Sequence, residues 1–283
     1  VKIIEAQVGP ILKESEKLAI DAIHRQRTPQ FFKPHHFFEI TQKIRKQFGN
    51  LISSSSENIA IMPSTSYGFA SALNNIKTNG KTTITIGNEF PSGYFALKKW
   101  TKNNNKTLVV VEQDNLFPQD WNNQIIDKIN EDTAVVLISS IHWMNGVKLN
   151  LKEIGEKCKK VGAYFIVDGT QSVGAIPINV MELNIDALIC AGYKWLFGPY
   201  SMALGFFSEK FSDGIPIEES WMNRSNAQNF SELTNYETNY MPHAARYNVG
   251  QTTNFILSPI MLNGLEQLNK WGIVNINKYC SLL

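Results

Sequence analysis

Tyr164-Phe165-Ile166-Val167-Asp168-Gly169-Thr170-Gln171 is the stretch on which the reading of this chain turns. An aromatic and β-branched run leads without polar interruption into a carboxylate and then a glycine. A short unbroken run of this kind, bounded by Gly, reads as a strand buried on both faces, the kind found in parallel sheets. Its C-terminal end is where open α/β sheets bind ligands, and Asp168 stands there. Downstream lies Ala191-Gly192-Tyr193-Lys194-Trp195-Leu196-Phe197-Gly198-Pro199, a turn bounded by glycines that sets one amine among aromatic residues.

Outward from these two stretches, further apolar runs at 58–62, 82–86, 107–112, 134–139, 187–190 and 203–207 read as strands. Helical patterns at 67–76, 92–102, 119–130 and 151–161 lie between most of them. This alternation predicts an α/β fold: a mostly parallel seven-stranded sheet with helices on both faces. The run at 203–207 follows 187–190 with too little chain for a crossover helix, so an antiparallel strand is expected there. Residues 213–247 are rich in Asn, Ser and Glu and show little periodicity, which suggests a long excursion near the active site or a subunit interface. A helix over 258–271 would leave the domain.

Composition removes several classes of function. A formal net charge of +2 gives no electrostatic case for nucleic acid or an anionic membrane. The three cysteines, Cys158, Cys190 and Cys280, are far apart, which argues against a disulfide framework and against a zinc site, so no metal is expected. The N-terminus lacks a signal-peptide pattern, and no apolar run approaches the roughly 18 residues of a membrane span. A reduced, cytoplasmic protein is the expectation.

A carboxylate at a buried strand end and an amine on the turn after the next strand are what pyridoxal phosphate (PLP) chemistry needs. The amine forms a Schiff base with the cofactor aldehyde, and the carboxylate keeps the pyridine nitrogen protonated. The segment from Asp168 to Pro199 resembles class V aminotransferases, the group that includes cysteine desulfurases, kynureninases and related C–S lyases. The resemblance extends from Gly9-Pro10 to Trp271-Gly272 and implies the large domain of PLP-dependent transferase fold type I.

The remaining site residues follow from these two sources. Ser64-Thr65-Ser66 opens a helix after a strand; free N–H groups and hydroxyls there suit a phosphate, and equally suit an ordinary N-cap. The resemblance implies that this turn cradles the PLP phosphate. Phe90, just after a strand, can stack on the pyridine ring or simply fill the core. By resemblance, Gln171 hydrogen-bonds the cofactor's phenolic oxygen, and Thr252 in Gly250-Gln251-Thr252-Thr253-Asn254 crosses a homodimer interface to the partner's phosphate. Tyr193 offers its hydroxyl to the phosphate. Desulfurases normally carry His at that place, Ser at that of Ala191 and Asn at that of Trp143, so the chain sits closer to kynureninase-like and C–S lyase-like members. His142 and Trp143 are expected near the substrate, His142 as a catalytic side chain. Arg25 and His36, with Arg27 and His35, fall in a segment that often lines the substrate entrance.

The expected organisation is a segment 1–20 belonging to a small domain or dimer arm, a large PLP-binding domain 21–257, and the start of a truncated C-terminal small domain, 258–283. The expected function is a PLP-dependent transferase or lyase acting on an amino acid, by transamination or C–S/β-elimination. A cysteine desulfurase or selenocysteine lyase, and a PLP-binding fragment without catalysis, are the alternatives. In the family the small domain usually supplies the arginine that grips the substrate carboxylate, and in desulfurases the cysteine that takes the sulfur. Neither is identifiable in this sequence.

Overall fold

Seven short apolar runs pair into one sheet in the computed structural model of the chain, which describes residues 8–113 and 121–282. The strands are β1 (Ile59–Met62), β2 (Thr82–Ile86), β3 (Thr107–Val111), β4 (Thr133–Ser139), β5 (Tyr164–Asp168), β6 (Ala187–Ala191) and β7 (Ala203–Phe207), in the spatial order β1-β7-β6-β5-β4-β2-β3. β7 pairs antiparallel with both β6 and β1, while the β2–β3, β2–β4, β4–β5 and β5–β6 pairs are parallel. Only β7 is therefore reversed, as the short link before it requires.

Alternation along the strands divides the core into two layers. One face carries Ile61, Ile86, Ile138, Phe165, Leu188 and Phe206. It is covered by α2 (His36–Ile52), α5 (Trp121–Lys128), α6 (Leu151–Val161) and α7 (Leu257–Trp271). The other face carries Met62, Leu137, Ile166, Ile189 and Phe207 under α3 (Thr65–Asn74) and α4 (Pro91–Asn103). Helices thus cover both faces.

Two helices precede β1 that the strand–helix alternation does not call for. α2 packs Ile44, Phe48 and Ile52 into the core. α1 (Lys13–Gln26) buries only Ser15 and Ala22, so it has no apolar stripe to announce it. It lies along α7, where Asn263 Nδ2 donates to Ser15 Oγ at 2.9 Å. α1 runs unbroken through residues 20 and 21, as α7 does through 257 and 258; α8 (Ile273–Cys280) follows. Between 213 and 247 the described chain forms only short 3₁₀ turns and a bridge between Arg224 and Tyr240. The expected helix over 119–130 is realised as α5, and residues 119 and 120 lie outside the described residues, as do residues 1–7 of the N-terminal segment. No helix among the described residues is long and apolar enough to cross a membrane.

Close packing on the α6 side decides the sign of one substitution. A Cβ on Gly155 would stand 2.0 Å from the Leu183 carbonyl oxygen and 3.3 Å from Phe165 Cδ1. In an open helix Gly→Ala stabilises by about 1 kcal/mol. Here the backbone of Leu183 must move, so Gly155→Ala is expected to destabilise by about 1–3 kcal/mol. Urea unfolding of the two proteins checks this, and a raised midpoint would refute the packing argument.

Candidate active site

Strand ends build the site. β1, β2, β4, β5 and β6 run in one direction, so their C-terminal ends lie along one edge of the sheet. From β5 comes Asp168, and from the turn after β6 comes Lys194. The turn after β2 delivers Phe90 at the start of α4, and the turn after β1 delivers Ser64 and Thr65 at the start of α3. These side chains converge although they are far apart in sequence.

Asp168 is 5% exposed, and its Oδ1 accepts the Thr170 N–H at 2.9 Å. Burial raises its carboxyl above the ordinary range, against the pull of the Thr170 hydrogen bonds and the Lys194 charge. The Lys194 turn is closed at its base: Gly192 N–H donates to the Met202 carbonyl and Gly198 N–H to the Gly192 carbonyl, both at 2.9 Å. A Cβ on Gly192 would come within 2.8 Å of that Met202 oxygen, so the closure needs glycine. The Lys194 Nζ stands 5.8 Å from the centroid of the Phe90 ring.

Asp168, Lys194, Phe90, Thr65, Gln171 and Trp143 line one slot of about 20 Å³. Thr65, Phe90, Ala191 and Tyr193 also face an adjoining chamber of about 310 Å³, which Ser64, Ser66 and Tyr200 complete at the N-terminus of α3. Burial, then the neighbouring Tyr200 and Asp168, raise the Tyr193 phenol, which keeps its proton and remains a donor. Ser64 also serves as the N-cap of α3, its Oγ accepting the Tyr67 N–H at 3.2 Å. Trp195 Nε1 donates to Gln171 Oε1 at 3.4 Å.

These residues fit the cofactor expected from the sequence. A buried carboxylate short of countercharge suits a protonated ring nitrogen, an aromatic plate and a thin slot suit a flat ring, and hydroxyls at a helix N-terminus suit a phosphate. The slot's volume is about that of one water molecule.

Other expected residues lie elsewhere. His142 is 3% exposed and does not line the slot. Its ring packs on Trp121 with centroids 5.2 Å apart, while Nδ1 and Nε2 are engaged by Asn145 Oδ1 (2.8 Å) and the Asn88 carbonyl (3.1 Å). It organises the turn beneath Trp143, whose indole N–H donates to the same Asn88 carbonyl at 2.7 Å. The Trp143 ring meets Phe90 edge-on at 5.6 Å. Thr252 is buried outside the slot, its hydroxyl donating to the Val249 carbonyl of its own turn. Arg25 and His36 line a separate cavity of about 260 Å³ with Phe32, Phe255 and Lys43.

Sequence reasoning passed over Glu89, which is 5% exposed. Its Oε1 accepts the Phe90 N–H at 2.7 Å and its Oε2 accepts the Ser139 N–H at 2.6 Å. Burial and then the Asp168 charge push this carboxyl up to about 7, although the two N–H groups act in the other direction. An acid between a strand end and a candidate ring-stacking residue was the available signal.

Residues 23–282 match the family model Aminotransferase class-V, and the chain belongs to that family. It is 25% identical over 244 residues to "Uncharacterized aminotransferase YcbU" of Bacillus subtilis, covering 85% of this chain and 62% of that protein. With a kynureninase of Shouchella clausii it shares 24% identity, over 83% of this chain and 58% of the relative. The chain thus spans about three fifths of the length of these curated relatives. Among solved structures, the cystine C-S lyase C-DES, in complex with its reaction product cysteine persulfide, superposes with a TM-score of 0.82 at 17% identity, over 93% of this chain and 70% of that one. A cysteine desulfurase from Thermococcus onnurineus NA1 gives 0.75 at 19%, over 96% and 70%. The fold is accordingly the large domain of PLP-dependent transferase fold type I.

The two buried acids set a pH dependence for the protein without ligand. Both carboxyls are raised above their unfolded values, so the native state binds more protons than the unfolded chain, for Glu89 between about 4.5 and 7. Their contribution to stability is full at low pH and is lost as pH rises through the folded values. The melting temperature is expected to fall between pH 5.5 and 8, and to fall less in Asp168→Asn, which removes one acid and the charge that raises the other. A parent melting temperature that climbs over this range would contradict the assignment.

Proposed function

We propose that this chain holds pyridoxal phosphate on Lys194 and acts on an amino acid, by transamination or by elimination of a β-substituent of the C–S lyase kind. The observation that carries the reading is the meeting of the Lys194 amine with the buried Asp168 carboxylate in one slot beside Phe90. The family supports it, as do relatives named as an aminotransferase and a kynureninase.

When bound, the cofactor supplies an aldehyde for the Lys194 amine and an electron-withdrawing ring. Asp168 holds a proton on the ring nitrogen, because a buried carboxylate short of countercharge favours a cation beside it. Phe90 would pack against the ring, and Gln171 would hold its phenolic oxygen. Thr65, the α3 N-terminus and the Tyr193 hydroxyl take the phosphate, with Ser64 and Ser66 at the rim. The Lys194 amine would be the base that takes the proton from the substrate α-carbon. Trp143, edge-on to Phe90, narrows the entrance to the slot. A second copy of the chain completes the functional unit, with Thr252 turned toward the partner's phosphate; its hydroxyl must first release the Val249 carbonyl.

One observation bears on desulfurase chemistry. Burial pushes the Cys158 thiol up to about 12 and Cys190 well above its ordinary value, and neither lines the slot. Neither supplies the thiolate needed to accept sulfur. A second observation favours cofactor binding without turnover as the competing reading: no arginine is among the described residues lining the slot.

The test is the visible absorption spectrum of the protein with added PLP, beside Lys194→Ala. A borohydride-reducible band in the parent, with the cofactor mass fixed on the Lys194 peptide and absent from the variant, is expected. An amino-acid panel then separates turnover from binding, and Asp168→Asn is expected to slow any turnover on the order of a hundredfold. A parent without the band refutes the reading.

A further inference from the structure

Glu89 takes no part in the chemistry proposed above, yet both of its carboxylate oxygens are committed to site-building backbone. Oε1 holds the N–H of Phe90, the N-cap residue of α4. Oε2 holds the N–H of Ser139, the last residue of β4, which stands opposite Asp168 in the β4–β5 register. One buried side chain therefore joins the element that carries the aromatic plate to the strand beside the charged end of the slot. The turn is pinned from its other side as well: the Asn88 carbonyl accepts from Trp143 Nε1, and from His142 Nε2 in the tautomer that carries its proton there. Asn88 itself sits at φ +51, in the left-handed region, where a turn needs such holding.

We propose that Glu89 is the positioning residue of this centre: its carboxylate fixes the Phe90 backbone to the end of β4 and thereby sets the gap between the Phe90 ring and the Asp168 side of the slot. The inference rests on the reading that a flat cofactor enters that gap. Glu89 acts through Phe90 and Ser139 and touches no reacting atom. The demand is for two acceptors at one place. A glutamine offers one oxygen and one NH₂ group, so one of the two buried N–H groups would face a donor. An aspartate keeps both oxygens but is one methylene too short to span both N–H groups.

The experiment compares the parent, Glu89→Gln, Phe90→Ala and the double variant, each first checked for folding by far-UV circular dichroism. PLP dissociation constants come from absorbance titration, and ring fixation from the visible circular dichroism of the bound cofactor. Glu89→Gln is expected to weaken PLP by about tenfold or more, the scale on which loss of a supporting hydrogen-bond partner weakens a bound group. It should also diminish the visible dichroism while the borohydride-reducible band on Lys194 persists. In the Phe90→Ala background the same change should cost less than about twofold, because two residues acting as one unit are not additive.

A folded Glu89→Gln with the parent's dissociation constant and dichroism overturns the proposal, as does a penalty undiminished in the Phe90→Ala background. Should Glu89→Gln fail to fold, Glu89→Asp carries the same comparison. Amide hydrogen exchange in the unaltered parent then adds a reading: fast exchange at both Phe90 and Ser139 overturns the clamp, and slow exchange supports it. A parent that forms no reducible band strikes down the cofactor reading and this inference with it, a result distinct from a parent that forms the band and a variant that matches it.

Discussion

A carboxylate buried at the end of a central strand is the constraint around which the site is arranged. Asp168 sits between β4 and β6 with almost no access to water, and its hydrogen bond to Thr170 does not restore what burial takes away. A group in that position either holds a proton or needs a cation beside it. Lys194 supplies part of the positive charge from the turn after β6. The chain thus builds an electrostatic demand at the point where the sheet edge opens into a slot.

The reversal of β7 lets the lysine be held so firmly. A parallel successor to β6 would require a crossover of a dozen or more residues. An antiparallel one is reached by the short turn that Gly192, Met202 and Gly198 close with backbone hydrogen bonds. Tyr193 and Lys194 therefore ride on a connection braced at its base. β7 then leads back to β1, which brings the α3 N-terminus to the same edge. Sheet order alone thus places the phosphate-suited end of the site beside its amine end.

Much of this was legible in the sequence because it rests on local patterns. Unbroken apolar runs marked the seven strands to within a residue or so, and Asp168, Lys194, Phe90, Thr65, Gln171 and Trp143 do meet in one slot. The features that escaped are those whose cause lies in tertiary contact. α1 packs through Ser15 and Ala22 while Ile20 and Ile23 stay about half exposed, so its largest apolar residues do not mark its packed face. His142 follows a strand like a catalytic residue, but it is held under the turn by Asn145 and Asn88. Arg25 and His36 belong to a cavity between α1, α2 and α7, a site that exists only once α1 lies on α7. Glu89 drew no notice because its partners are backbone N–H groups, which no side-chain motif records; asking where each buried N–H goes would have found it.

Asp168 and Glu89 are alike in charge type and in burial and differ in what their oxygens face. Both Glu89 oxygens are taken up by backbone donors, so a ligand has nothing to offer them. Asp168 lines the slot, so a cation entering there is matched to it alone. The two nevertheless feel each other, since the Asp168 charge helps raise Glu89. Any positive charge that settles on Asp168 therefore eases the ionisation of Glu89 as well, and the ionised form is the stronger acceptor for the two N–H groups it holds. Ligand charge at one acid and backbone rigidity at the other are in this way coupled through a single electrostatic interaction across the β4–β5 edge.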